Sequence, residues 1–225
     1  MLSKMIATIS ADIIRSTSLK TDDLIELRYR LQDLFNIIEK DCPGFWARIV
    51  RGDSIECFVP DYRYALRIAI LVKIFVKIHV GKFNCSEFLQ RYGIRFSIGI
   101  GRIKYVNKED DIIDGPAIYL SGRNLDEISG RDGVRSAFEI EGDLKPLSNI
   151  LDSYTALLSN LVDSYSTKQS EVIYYKLRGY KEREISERLG IYQSSVNMRA
   201  SSAQWNLLFT SIRNFEALNF DKICG

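Results

Sequence analysis

The sequence predicts an α+β protein in which a mixed-sheet domain is followed by a domain built only of helices. Up to about residue 142, apolar segments of strand length alternate with amphipathic segments of helical length. From about Leu144 onward only helical periodicity remains. We therefore place predicted domains at residues 1–145 and 146–225. No linker rich in Pro, Gly or Ser separates them, so we expect the two parts to pack together.

The elements of the first part follow a definite order. A strand in "KMIATISADII" precedes a helix in "TDDLIELRYRLQDLFNIIEKDC", and "ARIVRGDSIECFVP" predicts a hairpin with Gly52 and Asp53 at its tip. Next come an apolar helix over about 62–82, a short helical stretch near 87–90 and a strand in "IRFSIGIGRIKYV". A helix that begins near Pro116 and a strand in "RSAFEIEG" complete the order. This order implies a ferredoxin-like βαββαβ sheet with its helices on one face.

Composition excludes several classes of protein. The net charge of +2 argues neither for nor against a nucleic-acid partner. The four cysteines are scattered and His79 is the single histidine, so a zinc site is disfavoured and reduced thiols are expected. The apolar run "ALRIAILVKIFVKIHV" contains Arg67, Lys73 and Lys77, which argues against a membrane span. Asp12 interrupts the apolar start too early for a signal peptide. We expect a cytoplasmic protein with no membrane partner.

Two carboxylates are candidate metal ligands. Asp12 ends the first strand and Asp53 lies at the hairpin tip, and in a ferredoxin-like sheet these elements are neighbours. Carboxylate oxygens suit Mg²⁺ or Mn²⁺ bound to a nucleotide triphosphate. After Asp12, the stretch "IIRSTS" offers backbone N–H groups, Arg15 and the hydroxyls of Ser16 and Thr17 as phosphate ligands. The alternative is structural: Asp12 caps a turn and Asp53 is only a hairpin residue.

Four segments carry a resemblance to known families. "ISADIIRSTS", "RIVRGDSIECFV", "IRFSIGIG" and "DGPAIYLSGRNL" resemble, in order and rough spacing, the blocks of class III nucleotidyl cyclase domains, whose core is a palm-type sheet. They resemble still more closely the SatD family, which is similar to that cyclase fold and ends in a helix-turn-helix. The cyclase resemblance covers about residues 4–142 and the SatD resemblance nearly the whole chain. Diguanylate cyclase domains are also similar around "GDSIECFV", but they lack the "DGPA" block.

The resemblance implies roles for individual residues. Asp12 and Asp53 match the metal-binding aspartates of the cyclases, and the backbone of residues 13–16 matches their phosphate loop. Arg123 matches a catalytic arginine that stabilises the transferred phosphate. The implied phosphate or nucleotide ligands are Ile13, Arg15, Ser16, Thr17, Arg51, Tyr119 and Arg123.

The chain also departs from the cyclase pattern. Ile49 and Ile112 stand where adenylyl cyclases keep a base-selecting lysine and aspartate, and Tyr119 replaces the asparagine that orients the ribose. Base selection and ribose positioning are therefore absent in cyclase form. We expect a nucleoside triphosphate or another nucleotide, a Mg or Mn cofactor, or both to be bound rather than turned over.

The second part contains a predicted helix-turn-helix. In "YKEREISERLGIYQSSVNMRASSAQW" a helix, a turn at Gly190 and a second helix follow one another, with Ile185, Leu189 and Val196 facing inward. The segment resembles sigma-factor region 4 and LuxR-type regulators. The predicted contacts to double-stranded DNA are Lys181, Gln193, Ser194, Ser195, Asn197 and Arg199. The alternative is a three-helix bundle used for protein contacts.

Together these features lead to one main hypothesis and two alternatives. The main hypothesis is a DNA-binding transcriptional regulator whose cyclase-like domain binds a nucleotide or a divalent metal. Helix-turn-helix proteins usually read paired half-sites and cyclase sites lie between subunits, so we expect a homodimer. One alternative is a Mg- or Mn-dependent cyclase or nucleotidyltransferase whose last helices serve dimerisation. The other is a non-catalytic scaffold for protein interactions.

Overall fold

The computed structural model describes residues 5–50, 52–131 and 133–223. The strands are β1 Ile6–Ile13, β2 Trp46–Val50, β3 Ser54–Val59, β4 Ile94–Gly101, β5 Tyr105–Asn107, β6 Ile112–Asp114 and β7 Ser136–Ile140. The helices are α1 Thr21–Asp41, α2 Ala65–Val80, α3 Glu87–Tyr92, α4 Pro116–Ser129, α5 Lys145–Asp163, α6 Thr167–Leu177, α7 Glu182–Leu189, α8 Gln193–Ser202, α9 Trp205–Glu216 and α10 Phe220–Ile223.

The predicted α+β class is confirmed. Five strands form the main sheet in the order β2-β3-β1-β4-β7. The β2–β3, β3–β1 and β1–β4 pairs are antiparallel, whereas β7 runs parallel to β4 at the edge. The order β2-β3-β1-β4 is that of a hairpin inserted into a split β-α-β unit. A separate hairpin of β5 and β6 follows β4, where the sequence predicted one longer strand.

Helices cover both faces of this sheet, so the expectation of helices on one face is wrong. Ala7 and Ile9 of β1 point into the main hydrophobic core, which also contains buried residues of α1 and α2. On the opposite face, the hydroxyls of Thr8 and Ser10 each lie 2.9 Å from Oγ of Ser121 on α4. The small polar side chains on this second face leave room for α4 to lie close to the sheet.

Gly99 of β4 shows how close α4 lies. A Cβ atom at this position would stand 2.3 Å from the carbonyl oxygen of Ala117 and 2.8 Å from the backbone nitrogen of Ser121. Any side chain there would collide with the backbone of α4. Gly99, the first glycine in "SIGIG", therefore allows α4, which carries Tyr119 and Arg123, to pack directly against the sheet.

The apolar helix α2 is a core element. Fourteen of its sixteen residues are buried, and it contacts α1, β4 and α6. This explains why its sequence is apolar on every side. Within the described ranges, no helix combines the length and hydropathy needed to cross a membrane.

Two lysines of α2 lie inside the protein beside a buried carboxylate. Lys73 Nζ lies 2.8 Å from Oδ1 of Asp163, and their side chains are 0% and 4% exposed. Lys73 also donates to the carbonyl oxygens of Tyr92, at 2.9 Å, and Ile94, at 2.7 Å. Lys77 Nζ donates to the carbonyl oxygen of Asp163 at 3.1 Å. These contacts join α2 and the start of β4 to the last residue of α5.

Burial governs the protonation of this cluster. Loss of hydration lowers the pKa of Lys73 and lowers that of Lys77 to about 8, although the nearby Asp163 opposes both shifts. Burial likewise raises the pKa of Asp163, against the opposing effect of Lys73. Each charge is thus costly to bury alone and is tolerated because its partners are in place.

The C-terminal helices share the core of the sheet. The rings of Phe138 on β7 and Phe215 on α9 lie 5.8 Å apart, and Arg67 Nε of α2 lies 2.6 Å from Oε1 of Glu216. One continuous cluster of buried residues spans both sides of residue 145. The two parts pack together as expected, and the division at 145 stays a prediction.

We expect Asp163→Asn to lower the free energy of unfolding by about 3–5 kcal/mol, because it leaves Lys73 buried without its countercharge. Urea unfolding followed by circular dichroism measures the change. Asp143→Asn, an exposed carboxylate just before α5, is the matched control and is expected to change little. A loss below about 1 kcal/mol for Asp163→Asn would show that the pair contributes no more than a surface ion pair.

Candidate functional site

Strand pairing brings the two candidate metal ligands to one end of the sheet. Asp12 of β1 lies opposite Ser54 on one side and opposite Arg95 of β4 on the other. The N–H of Ile13 donates to the carbonyl oxygen of Asp53 at 3.1 Å. We call this end of the sheet the Asp12 rim and define it by residues 12–17, 52–54 and 93–95. Arg51, a predicted phosphate ligand beside it, lies outside the described residues.

The carboxylate of Asp12 is held by Arg95. Nε of Arg95 lies 2.8 Å from Oδ1 and Nη2 lies 2.9 Å from Oδ2, which is a two-point pair. The third nitrogen, Nη1, donates to the carbonyl oxygen of Ser129 at the end of α4, at 2.9 Å. Asp12 is 20% exposed and Arg95 is 25% exposed. Both oxygens of the predicted metal ligand therefore already accept hydrogen bonds from a cation.

Asp53 has a different partner. Its Oδ2 accepts a hydrogen bond of 2.6 Å from Oγ of Ser16. This bond links the hairpin tip to the 3-10 turn Ser16–Ser18 that follows β1. Asp53 is thus both a turn residue and a carboxylate directed at the predicted phosphate loop.

The predicted phosphate loop is only partly available to a ligand. The N–H groups of Ile13 and Ile14 donate to the carbonyl oxygens of Asp53 and Gly93, at 3.1 and 3.0 Å. The remaining N–H groups of the loop belong to Arg15 and the residues of the 3-10 turn. Arg15 is exposed and has left-handed backbone angles, φ 52° and ψ 40°. Its guanidinium carbon lies 4.1 Å from the ring centre of Phe88.

Thr17 is exposed and Ser16 is half-buried, so the two hydroxyls differ in access. Thr17 is the hydroxyl that solvent reaches freely, whereas that of Ser16 already donates to Asp53. An incoming phosphate would therefore meet Arg15 and Thr17 first. This order of access follows from the left-handed turn at Arg15.

The two predicted ligands on α4 lie away from the rim. Tyr119 is exposed and donates a hydrogen bond to Asp114, which raises the pKa of the Tyr119 hydroxyl. Nη2 of Arg123 lies 3.0 Å from Oε2 of Glu139 on β7. The carbonyl oxygen of Ser129, at the end of α4, contacts Arg95 of the rim. Arg123 lies about 9 Å before Ser129 along the axis of α4. The rim thus gathers Asp12, Asp53 and residues 13–17, while Tyr119 and Arg123 lie farther along α4.

The rim supplies two carboxylates but no larger metal cluster. Throughout the part of the chain that the structure describes, no three His, Cys, Asp or Glu side chains come together to hold a metal ion. Carboxylate oxygens match the donor type that Mg²⁺ prefers. Arg95 is the residue that sequence reasoning missed, since the β1–β4 register that places it opposite Asp12 cannot be read from composition or periodicity.

A second candidate site lies on α8. Val196 and Ala200 of α8 are buried against Val172 of α6 and Ile185 of α7. Gly190, with φ 62°, ends α7 in the left-handed conformation and sets the direction of the chain toward α8. One side of α8 is therefore anchored in a small three-helix core and the other side faces solvent.

The predicted base-contacting residues of α8 are exposed or half-buried. Gln193, Ser194 and Asn197 are exposed, and Ser195 and Arg199 are half-buried. Lys181, at the start of α7, is exposed as well. No Asp or Glu occurs between residues 188 and 215, a stretch that contains three arginines. The acidic residues of this region lie on α7 instead, where Glu187 pairs with Arg183 at 3.0 Å.

Comparison with known proteins gives structural neighbours only. No protein-family model matches the sequence, and no similar curated protein was found. The structure is similar to a bacterial light-regulated adenylyl cyclase, with 14% identity, a TM-score of 0.43 and coverage of 60% of this chain and 42% of that one. This chain therefore spans less than half the length of that protein. Membership of the SatD family stays a prediction.

Two guanylyl cyclases are also similar. The monomeric guanylyl cyclase domain of the RhoGC fusion protein from the aquatic fungus Blastocladiella emersonii has 18% identity and a TM-score of 0.39, covering 54% of this chain and 74% of that one. The guanylyl cyclase Cya2 has 11% identity and a TM-score of 0.37, covering 55% of this chain and 70% of that one.

Proposed function

We propose that this chain is a DNA-binding regulator that reads duplex DNA with α8 and binds a nucleotide through its phosphates at the Asp12 rim. The observation that carries the DNA-binding part is the division of α8 into two sides. Val196 and Ala200 are fixed in the small core, while Gln193 and Asn197, one helical turn apart beside this buried stripe, stay exposed. The left-handed turn at Gly190 between α7 and α8 supports a helix-turn-helix, in which the second helix enters the major groove.

The chemistry of α8 suits the major groove. The groove is wide enough for a helix, and amide side chains such as Gln193 and Asn197 can pair with adenine through two hydrogen bonds. Arg199 can pair with guanine in the same way. Lys181 is placed to contact phosphate, which adds affinity without sequence selection. Residues 188–215 contain no Asp or Glu, so α8 and the start of α9 add no repulsion toward a phosphate backbone.

Replacing Gln193 and Asn197 together by alanine should weaken binding to the preferred duplex by about tenfold or more, since a good two-point base contact is worth roughly 1–3 kcal/mol. The preferred duplex is selected from a random-sequence library, and fluorescence anisotropy measures affinity at fixed salt. Gln32 and Asn36 form an equally spaced, exposed pair on α1, so their double alanine variant is the matched control. Equal affinity of all three proteins, or no duplex enriched by wild type, would refute DNA reading by α8.

The ligand part of the proposal rests on the rim. Arg15, with its left-handed backbone, and the hydroxyl of Thr17 stand exposed beside the Asp12–Arg95 pair. Positive charge, hydroxyl groups and backbone N–H donors are what a phosphate group requires. The resemblance to cyclases supports a nucleotide as the carrier of that phosphate. Ile49, Ile112 and Tyr119, which replace the base- and ribose-selecting residues, favour binding over turnover.

A Mg- or Mn-dependent cyclase or nucleotidyltransferase is the second candidate, because Asp12 and Asp53 occupy the same rim. Incubation with each nucleoside triphosphate and Mn²⁺ tests it through release of pyrophosphate. The regulator hypothesis predicts no release above that of Asp53→Asn. Release by wild type that Asp53→Asn abolishes would favour the enzyme instead.

Helix α5 is the surface that we assign to the expected homodimer. From residue 146 to 162 its one charged residue is Asp152, which is half-buried and accepts a hydrogen bond from the N–H of Phe138 at 2.8 Å. Ile150 and Leu157 are 65% and 70% exposed, with Ser153 between them. Two antiparallel copies with their axis near Ser153 would place Ile150 of each against Leu157 of the other. An uncharged surface with this spacing is complementary to itself.

Leu157→Glu should convert the dimer to a monomer at micromolar concentration, because two charges would be buried at the two-fold interface. Size-exclusion chromatography with light scattering gives the mass. Ile25→Glu places the same charge on an exposed aliphatic position of α1 and should leave the dimer intact. A wild-type monomer, or a dimer that persists in Leu157→Glu, contradicts this assignment.

A further inference from the structure

The position that a divalent cation would take beside Asp12 is occupied by a side chain of the protein itself. We propose that the guanidinium of Arg95 replaces the cation, so that the Asp12 rim binds the phosphates of its ligand with arginines and without metal. This inference rests on the proposed ligand site. It adds that the ligand is a phosphate compound bound without a metal ion, and that Arg95 is the residue that excludes the metal.

Arg95 occupies the position beside Asp12 from which a cation would contact both carboxylate oxygens. Nε and Nη2 contact the two oxygens of the carboxylate at 2.8 and 2.9 Å, and Nε also lies 3.1 Å from Oδ2. Mg²⁺ binds through oxygen lone pairs, and the lone pairs on the side shared by both oxygens are directed here at N–H groups. A two-point arginine pair is also shorter and stronger than a neutral hydrogen bond. A cation would have to displace Arg95 before it could bind both oxygens of Asp12.

Arg95 also forms a hydrogen bond on the side of its guanidinium that faces away from Asp12. Its Nη1 donates to the carbonyl oxygen of Ser129, which fixes the far side of the guanidinium to the end of α4. The residue before it, Ile94, accepts a hydrogen bond of 2.7 Å from the buried Lys73. Side chain and backbone are thus both anchored, so the pair with Asp12 is a built feature of the rim.

Two further arginines, one of them in the rim, meet at a single aromatic ring. The guanidinium carbons of Arg15 and Arg135 lie 4.1 and 5.3 Å from the ring centre of Phe88, which brings both groups to one aromatic side chain. Neither forms an ion pair with a carboxylate among the residues that the structure describes. Within those residues, Nε of Arg135 is buried and has no hydrogen-bond partner. A phosphate at the rim would neutralise this charge, which is the task that a metal performs in a carboxylate site.

The metal part of the proposal is tested with Mn²⁺ alone, followed by electron paramagnetic resonance. Wild type is expected to leave Mn²⁺ free. Arg95→Met frees both oxygens of Asp12 and should bind Mn²⁺ at least about tenfold more tightly than wild type. Arg131→Met removes another arginine next to a carboxylate, Glu127, and should behave as wild type. Adding Asp12→Asn to Arg95→Met should abolish the gained binding.

Two outcomes of this experiment overturn the proposal. One is tight, stoichiometric Mn²⁺ binding by wild type, and this measurement needs no variant. The other is a folded Arg95→Met protein that binds Mn²⁺ no better than wild type, since Arg95 then does not exclude the cation. Arg95→Gln serves as the second variant if Arg95→Met does not give the circular dichroism spectrum of wild type.

A second experiment separates this inference from the proposed function. ATP binding to wild type is measured by calorimetry, once with EDTA and once with excess Mg²⁺. The proposal expects equal or tighter binding with EDTA. Binding that requires Mg²⁺ refutes the metal-free site but keeps the ligand site. If neither ATP, GTP nor inorganic triphosphate binds under either condition, the proposed ligand function fails, and the Mn²⁺ result alone decides the role of Arg95.

Discussion

The buried ion pair of Lys73 and Asp163 is the contact on which the arrangement of the whole molecule depends. Its two side chains are 0% and 4% exposed and lie 2.8 Å apart. A charge removed from water at this depth is tolerated only if its partner and hydrogen bonds are in place. Lys73 belongs to α2 and Asp163 ends α5. If the C-terminal helices moved away from the sheet, Lys73 would therefore lose its countercharge. The pair therefore specifies one way of packing the two parts.

The same lysine positions the Asp12 rim. Lys73 donates to the carbonyl oxygens of Tyr92 and Ile94, and the next residue, Arg95, holds Asp12. A continuous series of contacts thus runs from the end of α5 through α2 and the first residues of β4 to the rim. The candidate ligand site and the helices that carry α8 rest on one common internal element.

The sequence predicted most of the elements, but not the β5–β6 hairpin and not the contacts between the faces of the elements. The order of strands and helices, the hairpin tip at Asp53 and the turn at Gly190 follow from periodicity and turn chemistry. The position of α4 on the second face depends on a three-dimensional fit at Gly99, which a linear pattern does not reveal. Arg95 was missed for a similar reason, because only the β1–β4 register places it opposite Asp12.

The two lysines of α2 show a further limit of pattern reading. Lys73 and Lys77 interrupt an apolar run and argued correctly against a membrane span, yet both are buried and paired in the core. Charge in a sequence does not reveal whether a distant carboxylate will meet it. The same limit applies to the small polar residues Thr8 and Ser10. Their hydroxyls contact Ser121, and that contact depends on where α4 packs on the sheet.

If the buried pair makes the two parts one cooperative unit, a fluorescent reporter in each part must show unfolding at the same urea concentration. The sequence has two tryptophans, Trp46 in β2 and Trp205 in α9, one in each part. Trp205→Phe leaves a reporter in the sheet, and Trp46→Phe leaves one in the helices. In each variant we expect the urea midpoint measured by fluorescence to equal the midpoint measured by circular dichroism on the same protein. Fluorescence midpoints that separate from that transition, with the helices unfolding before the sheet, would contradict it.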